Sequence, residues 1–327
     1  MTYDEKYMRR ALELAAHGMG NTSPNPMVGA VIVDPEGNII GEGYHRRCGQ
    51  AHAEVNAVAS VKDKSQLRDC TMYVTLEPCS HYGKTPPCAK LIIDSGIPRV
   101  VVGAGDPFRE VAGRGIRMLR DAGVDVVEGV LAQESRTLNR RFFTAHTQSR
   151  PFVTLKWAQS ADGFMDSDRP DGLPHRFSSY LGTTLVHRLR SLYDAILVGS
   201  GTVTADNPRL DCRLWPGRSP QPVILDRSRR IDISNLKMAS PIISQARDIP
   251  TLLSDLYRRG ITSVLVEGGS HILKAFIDSG LWDTARVEVT PEMLGSHGRV
   301  KAPEIPQLPI GSYKIGKNVI FEYEYKG

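Results

Sequence analysis

The amino-acid sequence predicts two consecutive α/β domains, and three features lead there. The chain has 327 residues, room for roughly two domains at about 150 residues each. Apolar runs of strand length alternate with helical patterns, the arrangement that builds largely parallel sheets flanked by helices. Near residue 150 this alternation pauses at His146-Thr147-Gln148-Ser149-Arg150-Pro151 and then restarts. That polar, proline-bearing stretch reads as a linker, so the expected domains are 1–146 and 150–327.

In the first domain, Tyr7, Met8, Ala11, Leu12, Leu14 and Ala15 fall at helical spacing, and Gly18 and Gly20 follow. They predict an amphipathic helix over 3–19. The turn-rich run Asn21-Thr22-Ser23-Pro24-Asn25-Pro26 leads into an apolar strand at 28–33. Pro35-Glu36-Gly37-Asn38 is a turn, so 28–33 and 39–44 are expected to form a hairpin. A helix at 51–61, a strand at 72–76, a helix at 87–94 and a strand at 100–104 follow. A helix at 113–122, a short strand at 124–127 and a helix holding Leu138, Phe142 and Phe143 complete the domain. In the second domain strands are expected at 152–157, 195–198, 223–225, 263–266 and 286–289, with helices near 184–191 and at 272–279. No internal repeat is visible.

Composition narrows the function classes. Apolar residues make up 41% and charged residues 24%, values of an ordinary globular chain. No apolar run approaches the roughly 18 to 20 residues that cross a bilayer. The opening Met1-Thr2-Tyr3-Asp4-Glu5-Lys6 lacks the apolar core of a secretory signal. A cytoplasmic globular protein is expected. The net charge is +5, and Lys and Arg are dispersed rather than striped, which argues against a dedicated nucleic-acid binder. Short clusters such as Arg46-Arg47 and Arg227 to Arg230 read as solvated surface or as sites for small anions.

The five cysteines are Cys48, Cys70, Cys79, Cys88 and Cys212. An odd count without a signal peptide argues against a disulfide framework. Cys70 and Cys212 are expected to be buried apolar residues. Cys79 and Cys88 belong with His52-Ala53-Glu54. Catalytic zinc typically takes three protein ligands and leaves a fourth position to water. One imidazole, from His52, and two thiolates, from Cys79 and Cys88, meet that need. His52 and Glu54 sit two residues apart near a helix start, so their side chains leave it in different directions. Glu54 can then face the water, whose pKa zinc lowers to about 7, and shuttle its proton. His-x-Glu followed by Pro78-Cys79 and a later Cys is the signature of zinc deaminases. His81 is a conceivable fourth ligand, though only two residues from Cys79.

Eight residues separate Cys79 from Cys88, against two in the common nucleobase signature. The insert Ser80-His81-Tyr82-Gly83-Lys84-Thr85-Pro86-Pro87 resembles that of the pyrimidine deaminases of riboflavin biosynthesis. So do Pro24-Asn25-Pro26-Met27-Val28-Gly29-Ala30-Val31-Ile32-Val33 and Gly41-Glu42-Gly43-Tyr44-His45. In that family the deaminase is fused to a reductase resembling dihydrofolate reductase. The resemblance implies a cytidine-deaminase-like α/β/α sandwich followed by a dihydrofolate-reductase-like α/β domain. It implies Zn2+ on His52, Cys79 and Cys88, Glu54 as proton donor and Asn25 on the pyrimidine. Asn25 can equally be a turn-forming residue between prolines. His45, His81 and Lys84 are candidates for the ribose 5-phosphate or plain surface side chains.

In the second domain, Val264-Leu265-Val266-Glu267-Gly268-Gly269-Ser270 reads as strand, glycine turn and helix start, which can hold a pyrophosphate. The family resemblance implies NADPH there. It assigns Ala158, Thr202, Asp206, Gly269, Ser270, His271, Ile272, Leu273, Lys274 and Ala275 to the nucleotide, and Arg190, Leu210, Arg213 and Glu267 to the substrate. Arg190 and Arg213 can bind phosphate through their forks or form surface ion pairs. Between Gly172 and Ser178 the chain departs from the family's Ser-x-Trp pattern. It has Pro174-His175-Arg176-Phe177-Ser178, so those two contacts are not carried over. Arg176 is expected to stack on the nucleotide or bind a phosphate, and Phe177 to replace the lost aromatic surface. The expected partner is a small phosphorylated pyrimidine, with no nucleic acid or membrane, in a homo-oligomer. Two other readings are a zinc deaminase acting on nucleic acid, and a second domain that serves only nucleotide binding or dimerisation.

Overall fold

The structure, a computed structural model, describes residues 1–82, 86–108 and 112–327. It divides into two compact units, Met1–Gln148 and Ser149–Gly327. The division falls two residues beyond the expected 146 because the last helix of the first unit runs on through His146 to Gln148.

The first unit opens with α1, Tyr3–Ala16, which starts at a capping box: Glu5 N donates to Thr2 Oγ1 and Thr2 N to Glu5 Oε2. The strands are β1 (Gly29–Val33), β2 (Ile39–Tyr44), β3 (Thr71–Leu76), β4 (Arg99–Ala104) and β5 (Asp125–Glu128). They form one sheet in the order β2-β1-β3-β4-β5. The hairpin β1–β2 is antiparallel, and so is β1–β3, whereas β3, β4 and β5 run parallel. The helices are α2 (Ala53–Ser60), α3 (Cys88–Asp94), α4 (Arg114–Asp121), α5 (Ala132–Leu138) and α6 (Arg140–Gln148).

Strand side chains alternate between faces, and both faces here are dry. Ala30, Ile32, Met72, Val74, Val100 and Val102 pack with Ala57, Ile92 and Ile116 of α2, α3 and α4. Val31, Val33, Tyr73 and Val101 pack with Tyr7, Met8 and Ala11 of α1. The result is a three-layer α/β/α sandwich. One expected helix is two: α5 and α6 break at Asn139, whose Oδ1 accepts from Met27 N at 2.8 Å while its Nδ2 donates to Met27 O at 2.8 Å. Asn139 is buried, and this clamp fixes the segment leading into β1.

The second unit carries β6 (Phe152–Gln159), β7 (Phe164–Ser167), α7 (Tyr180–Arg190), β8 (Ala195–Gly199) and α8 (Ser200–Asp206). Next come β9 (Gln221–Leu225), β10 (Ile242–Ser244), α9 (Ile249–Arg258), β11 (Ser263–Gly268) and α10 (Ser270–Ser279). The strands β12 (Thr284–Val289), β13 (Gly298–Lys301), β14 (Gly311–Ile315) and β15 (Asn318–Glu324) end it. The main sheet has the order β10-β9-β8-β11-β6-β12-β15-β14, and β7 pairs with β13 in a separate ribbon. The run from β10 to β12 is parallel, and β15 and β14 add antiparallel strands at one edge. Helix α7 begins at Tyr180 rather than near 184 because Ser179 caps it, its Oγ accepting from Gly182 N. Among the described residues no helix is long and apolar enough to cross a membrane.

Candidate functional sites

In the first unit, His52 is the N-cap of α2 and presents its ring at the helix start. Cys79 follows β3 through Pro78, and Cys88 is the first residue of α3. The three donor atoms lie within 4.8 Å of one another. His52 Nδ1 stands 3.3 Å from Cys88 Sγ and 3.7 Å from Cys79 Sγ, and Cys88 N donates to Cys79 Sγ at 3.3 Å. The hydrogen bond from the Cys88 thiol pulls Cys79 down to about 4, and the same contact pushes Cys88 up. His52 is raised by its bond to Cys79. One imidazole and two sulfurs converging from three elements suit a tetrahedral metal with one position left over. Glu54 is 3% exposed beside them, and burial lifts its carboxyl to about 6. His81 is exposed and stands outside the donor group.

Asn25 lies nearby on the turn before β1, its Nδ2 3.3 Å from His45 Nε2. His45 is buried, stands against His52 with ring centroids 5.5 Å apart, and donates from Nδ1 to Ala51 O at 3.1 Å. Burial lowers its pKa, so the ring is neutral. A buried neutral ring with both nitrogens engaged is a poor phosphate ligand, and His45 instead holds Asn25. Lys84 lies outside the described residues. Cys70 and Cys212 are buried and Cys48 is exposed.

Two residues that sequence reasoning missed hold this site together. Asn139 clamps Met27 next to Asn25, as described above. Glu77, 4% exposed, sits two residues before Cys79. Its carboxylate accepts four backbone N–H groups: Asp106 and Gly113 on Oε2, Gly115 and Ile116 on Oε1, at 3.0 to 3.4 Å. Gly115 must be glycine here, since a Cβ would lie 1.9 Å from Pro78 O. The only sequence signal was an acid placed between an apolar strand and Pro-Cys.

In the second unit, a cavity of about 1180 Å³ opens over the C-terminal ends of β6, β8, β9 and β11, where open α/β sheets bind ligands. Of the expected nucleotide residues, Ala158, Thr202, Asp206, Gly269, Ser270, His271, Ile272 and Ala275 line it. Leu273 instead packs in the core and Lys274 pairs with Asp278 on the surface. Gly269 is the N-cap of helix α10, and no side chain caps the first turn, so the helix's positive end faces the cavity. A Cβ on Gly269 would sit 3.2 Å from Thr202 Oγ1, which shows how closely the two segments approach. Asp206 is held by Arg169, which also pairs with Asp166.

Of the expected substrate residues, Arg190, Arg213 and Glu267 line the cavity. Leu210 is buried in the apolar cluster with Tyr193 and Ile196. Arg190 and Glu267 form a two-pronged pair, Nε to Oε1 at 2.9 Å and Nη2 to Oε2 at 2.7 Å. The pair is nearly buried, not a surface pair. Arg190 Nη1 also donates to Asp211 O, so much of its fork is already spent. Burial alone would raise the Glu267 carboxyl, but Arg190 and then Lys156 draw it down to about 2. Burial lowers Lys156 beside them. Arg213 is exposed and paired with Asp211. Arg176 lines the cavity. Phe177, 7% exposed and with its ring 4.6 Å from that of His175, lines the cavity as well.

Fold and site define the class: a deaminase of the zinc type joined in one chain to a reductase unit. Residues 1–104 match the cytidine and deoxycytidylate deaminase zinc-binding region, and residues 151–317 match the RibD C-terminal domain. The chain belongs to the RibD family of bifunctional riboflavin-biosynthesis enzymes. It is 38% identical to the riboflavin biosynthesis protein RibD of Aquifex aeolicus, over 89% of this chain and 88% of that one. With its Escherichia coli counterpart the identity is 36%, over 90% of each. A solved structure from Thermotoga maritima, described as a diaminohydroxyphosphoribosylaminopyrimidine deaminase/5-amino-6-(5-phosphoribosylamino)uracil reductase, superposes with a TM-score of 0.88 at 37% identity, covering 99% of both chains.

Proposed function

We propose that the chain performs two consecutive steps on one phosphorylated pyrimidine. The first unit hydrolytically deaminates 2,5-diamino-6-ribosylamino-4(3H)-pyrimidinone 5′-phosphate, releasing ammonia. The second reduces the ribosyl side chain to ribityl with NADPH. The observation that carries the reading is the meeting of His52, Cys79 and Cys88 within 4.8 Å beside the buried Glu54. Those three would hold Zn2+, which when bound makes water nucleophilic at neutral pH. Glu54 takes a proton from the attacking water and returns it to the departing amine. A carboxyl held near 6 by burial can do both close to neutral pH. Asn25 orients the pyrimidine ring.

In the second unit, Ala158, Thr202, Asp206 and the 269–275 segment hold NADPH, of which Leu273 and Lys274 serve through backbone position rather than side-chain contact. NADPH supplies the hydride; the protein orients it. Arg190, Arg213 and Glu267 bind the substrate, and Leu210 supports their wall from beneath. The test is incubation with the diaminopyrimidine phosphate, with and without NADPH, following ammonia and NADPH absorbance. Ammonia without NADPH, then NADPH oxidation on its addition, is expected; absence of ammonia release overturns the reading.

A further inference from the structure

We propose that Asn318, held in place by Glu288, is a positioning residue for the second unit's reaction: its amide ties down the 174–178 wall of the cavity, so that Arg176 and Phe177 face the bound nucleotide. The proposal rests on the reading of the second unit as an NADPH site and deepens it to what fixes the shape of that site.

Sheet geometry brings the pair together. Val287 of β12 packs into the core shared with α9 and α10, so its neighbour Glu288 projects from the opposite face. On that face Glu288 stands across from Ile320 of β15. Asn318 lies two residues earlier on the same strand and the same face, a diagonal neighbour. It begins β15 straight after the two-residue turn Gly316-Lys317 and pairs with Ile315 across it. Glu288 is 0% exposed and Asn318 2%.

The bonds define the task of the amide. Asn318 Nδ2 donates to Glu288 Oε1 at 2.7 Å and to Phe177 O at 2.9 Å. Both amide hydrogens are engaged, and a carboxylate and a carbonyl can only accept, so the nitrogen end alone fits there. Arg286 Nη1 stands 3.9 Å from Glu288 Oε2 and supplies the opposite charge. Burying such groups is costly unless they bond to one another. The bond that leaves the sheet ends on Phe177.

That bond matters because the wall has few others. Residues 174–178 line the cavity, lie between β7 and α7, and belong to no strand or helix. Among the described residues their backbone makes no hydrogen bond with another backbone group. His175 Nδ1 lies 3.1 Å from Ser167 Oγ and fixes one end. Asn318 fixes the other, just before Ser179 caps α7. Arg190, at the far end of α7, is bonded to Glu267, so wall and helix are held as one piece between Asn318 and Glu267.

The test uses the full chain and trypsin. Arg176 is exposed, Arg169 precedes a proline, and the next arginine or lysine is Arg188. Arg176–Phe177 is therefore the one bond in the wall that trypsin cuts, and cutting requires the segment to open locally. Asn318→Leu removes both donors at similar volume and is expected to speed this cleavage, followed by mass spectrometry, at least ~5-fold. Saturating NADPH should slow it in wild type. The KM and the calorimetric Kd of Asn318→Leu for NADPH should rise ~5-fold with kcat within ~2-fold. In an Arg176→Ala background the same change should add less than ~2-fold, because it acts through that wall. Glu288→Gln keeps an oxygen for Asn318 Nδ2 and should stay within ~2-fold of wild type throughout. Should Asn318→Leu fail to fold, Asn318→Ser, whose short hydroxyl cannot reach both acceptors, carries the same expectations. Cleavage no faster than in wild type, or a kcat that falls while KM stands still, as loss of folded enzyme would give, overturns the proposal. If wild type neither binds nor oxidises NADPH, the NADPH reading falls, and the cleavage rates still decide whether Asn318 holds the wall.

Discussion

Replacing Glu77 by Gln tests whether the Cys79 segment is held where the structure puts it. The carboxylate accepts four N–H bonds, two per oxygen. An amide keeps one accepting oxygen and turns its other corner into a donor facing two donors. Two charge-assisted bonds at about 1.5 to 3 kcal/mol each are lost, and partial relaxation leaves a cost of about 4 kcal/mol. That is a large share of the ~5 to 15 kcal/mol that holds a domain together. For a unit of this size it corresponds to a fall in Tm of roughly 10 to 15 °C. Because Pro78 and Cys79 follow directly, zinc affinity should fall as well, by about tenfold or more in competition with a chelator. The assay pairs a thermal melt with zinc titration of the full chain. A Glu77→Gln protein that melts within about 2 °C of wild type and holds zinc as tightly would refute the reasoning.

Glu54→Gln should abolish ammonia release and retain about one equivalent of zinc, because the carboxylate stands outside the donor set; Cys88→Ser should lose both activity and metal, as metal analysis of the purified variants would show. Arg176→Ala should raise the apparent KM for NADPH several-fold and leave deamination untouched, since removing one cavity-lining guanidinium costs roughly 1 kcal/mol. Glu267 is depressed to about 2, so its contribution is complete above the unfolded value near 4.3 and is lost as pH falls from there toward 2. The amount is on the order of 3 kcal/mol, and an acid titration of the second unit should be flatter across that window in Glu267→Gln. A wild-type curve no steeper than the variant's would refute the assignment.

Those parts of the molecule that chemistry or periodicity constrains locally were legible from sequence. Metal ligation permits few residue types, so His52, Cys79 and Cys88 stand out wherever the fold puts them, and Glu54 stands out by its fixed spacing from His52. Helix α1 announces itself by spacing, since its buried Tyr7, Met8, Ala11, Leu14 and Ala15 share one face. Strands buried on both faces, such as β1 and β8, read as continuous apolar runs. The strand β14 does not: it lies at the sheet edge with four of its five residues exposed, so no alternation marks it. Helix α9 did carry its signals, Asp248 as a cap and Leu252, Leu253 and Leu256 inward, and was within reach. Glu77 and Asn139 were not, because their roles lie in hydrogen bonds spanning from 29 up to 112 residues of sequence. The buried Arg190–Glu267 pair joins residues 77 apart in the same way.

His45 sets which group of the Asn25 side chain is turned inward. Ala51 O can only accept, so Nδ1 of the neutral ring carries the proton and Nε2 is left as an acceptor. Asn25 therefore turns one of its two amide hydrogens inward, and its carbonyl and second amide hydrogen keep their capacity for other partners. How the amide of Asn25 is turned is thus written in the tautomer of a histidine lying one layer beneath it.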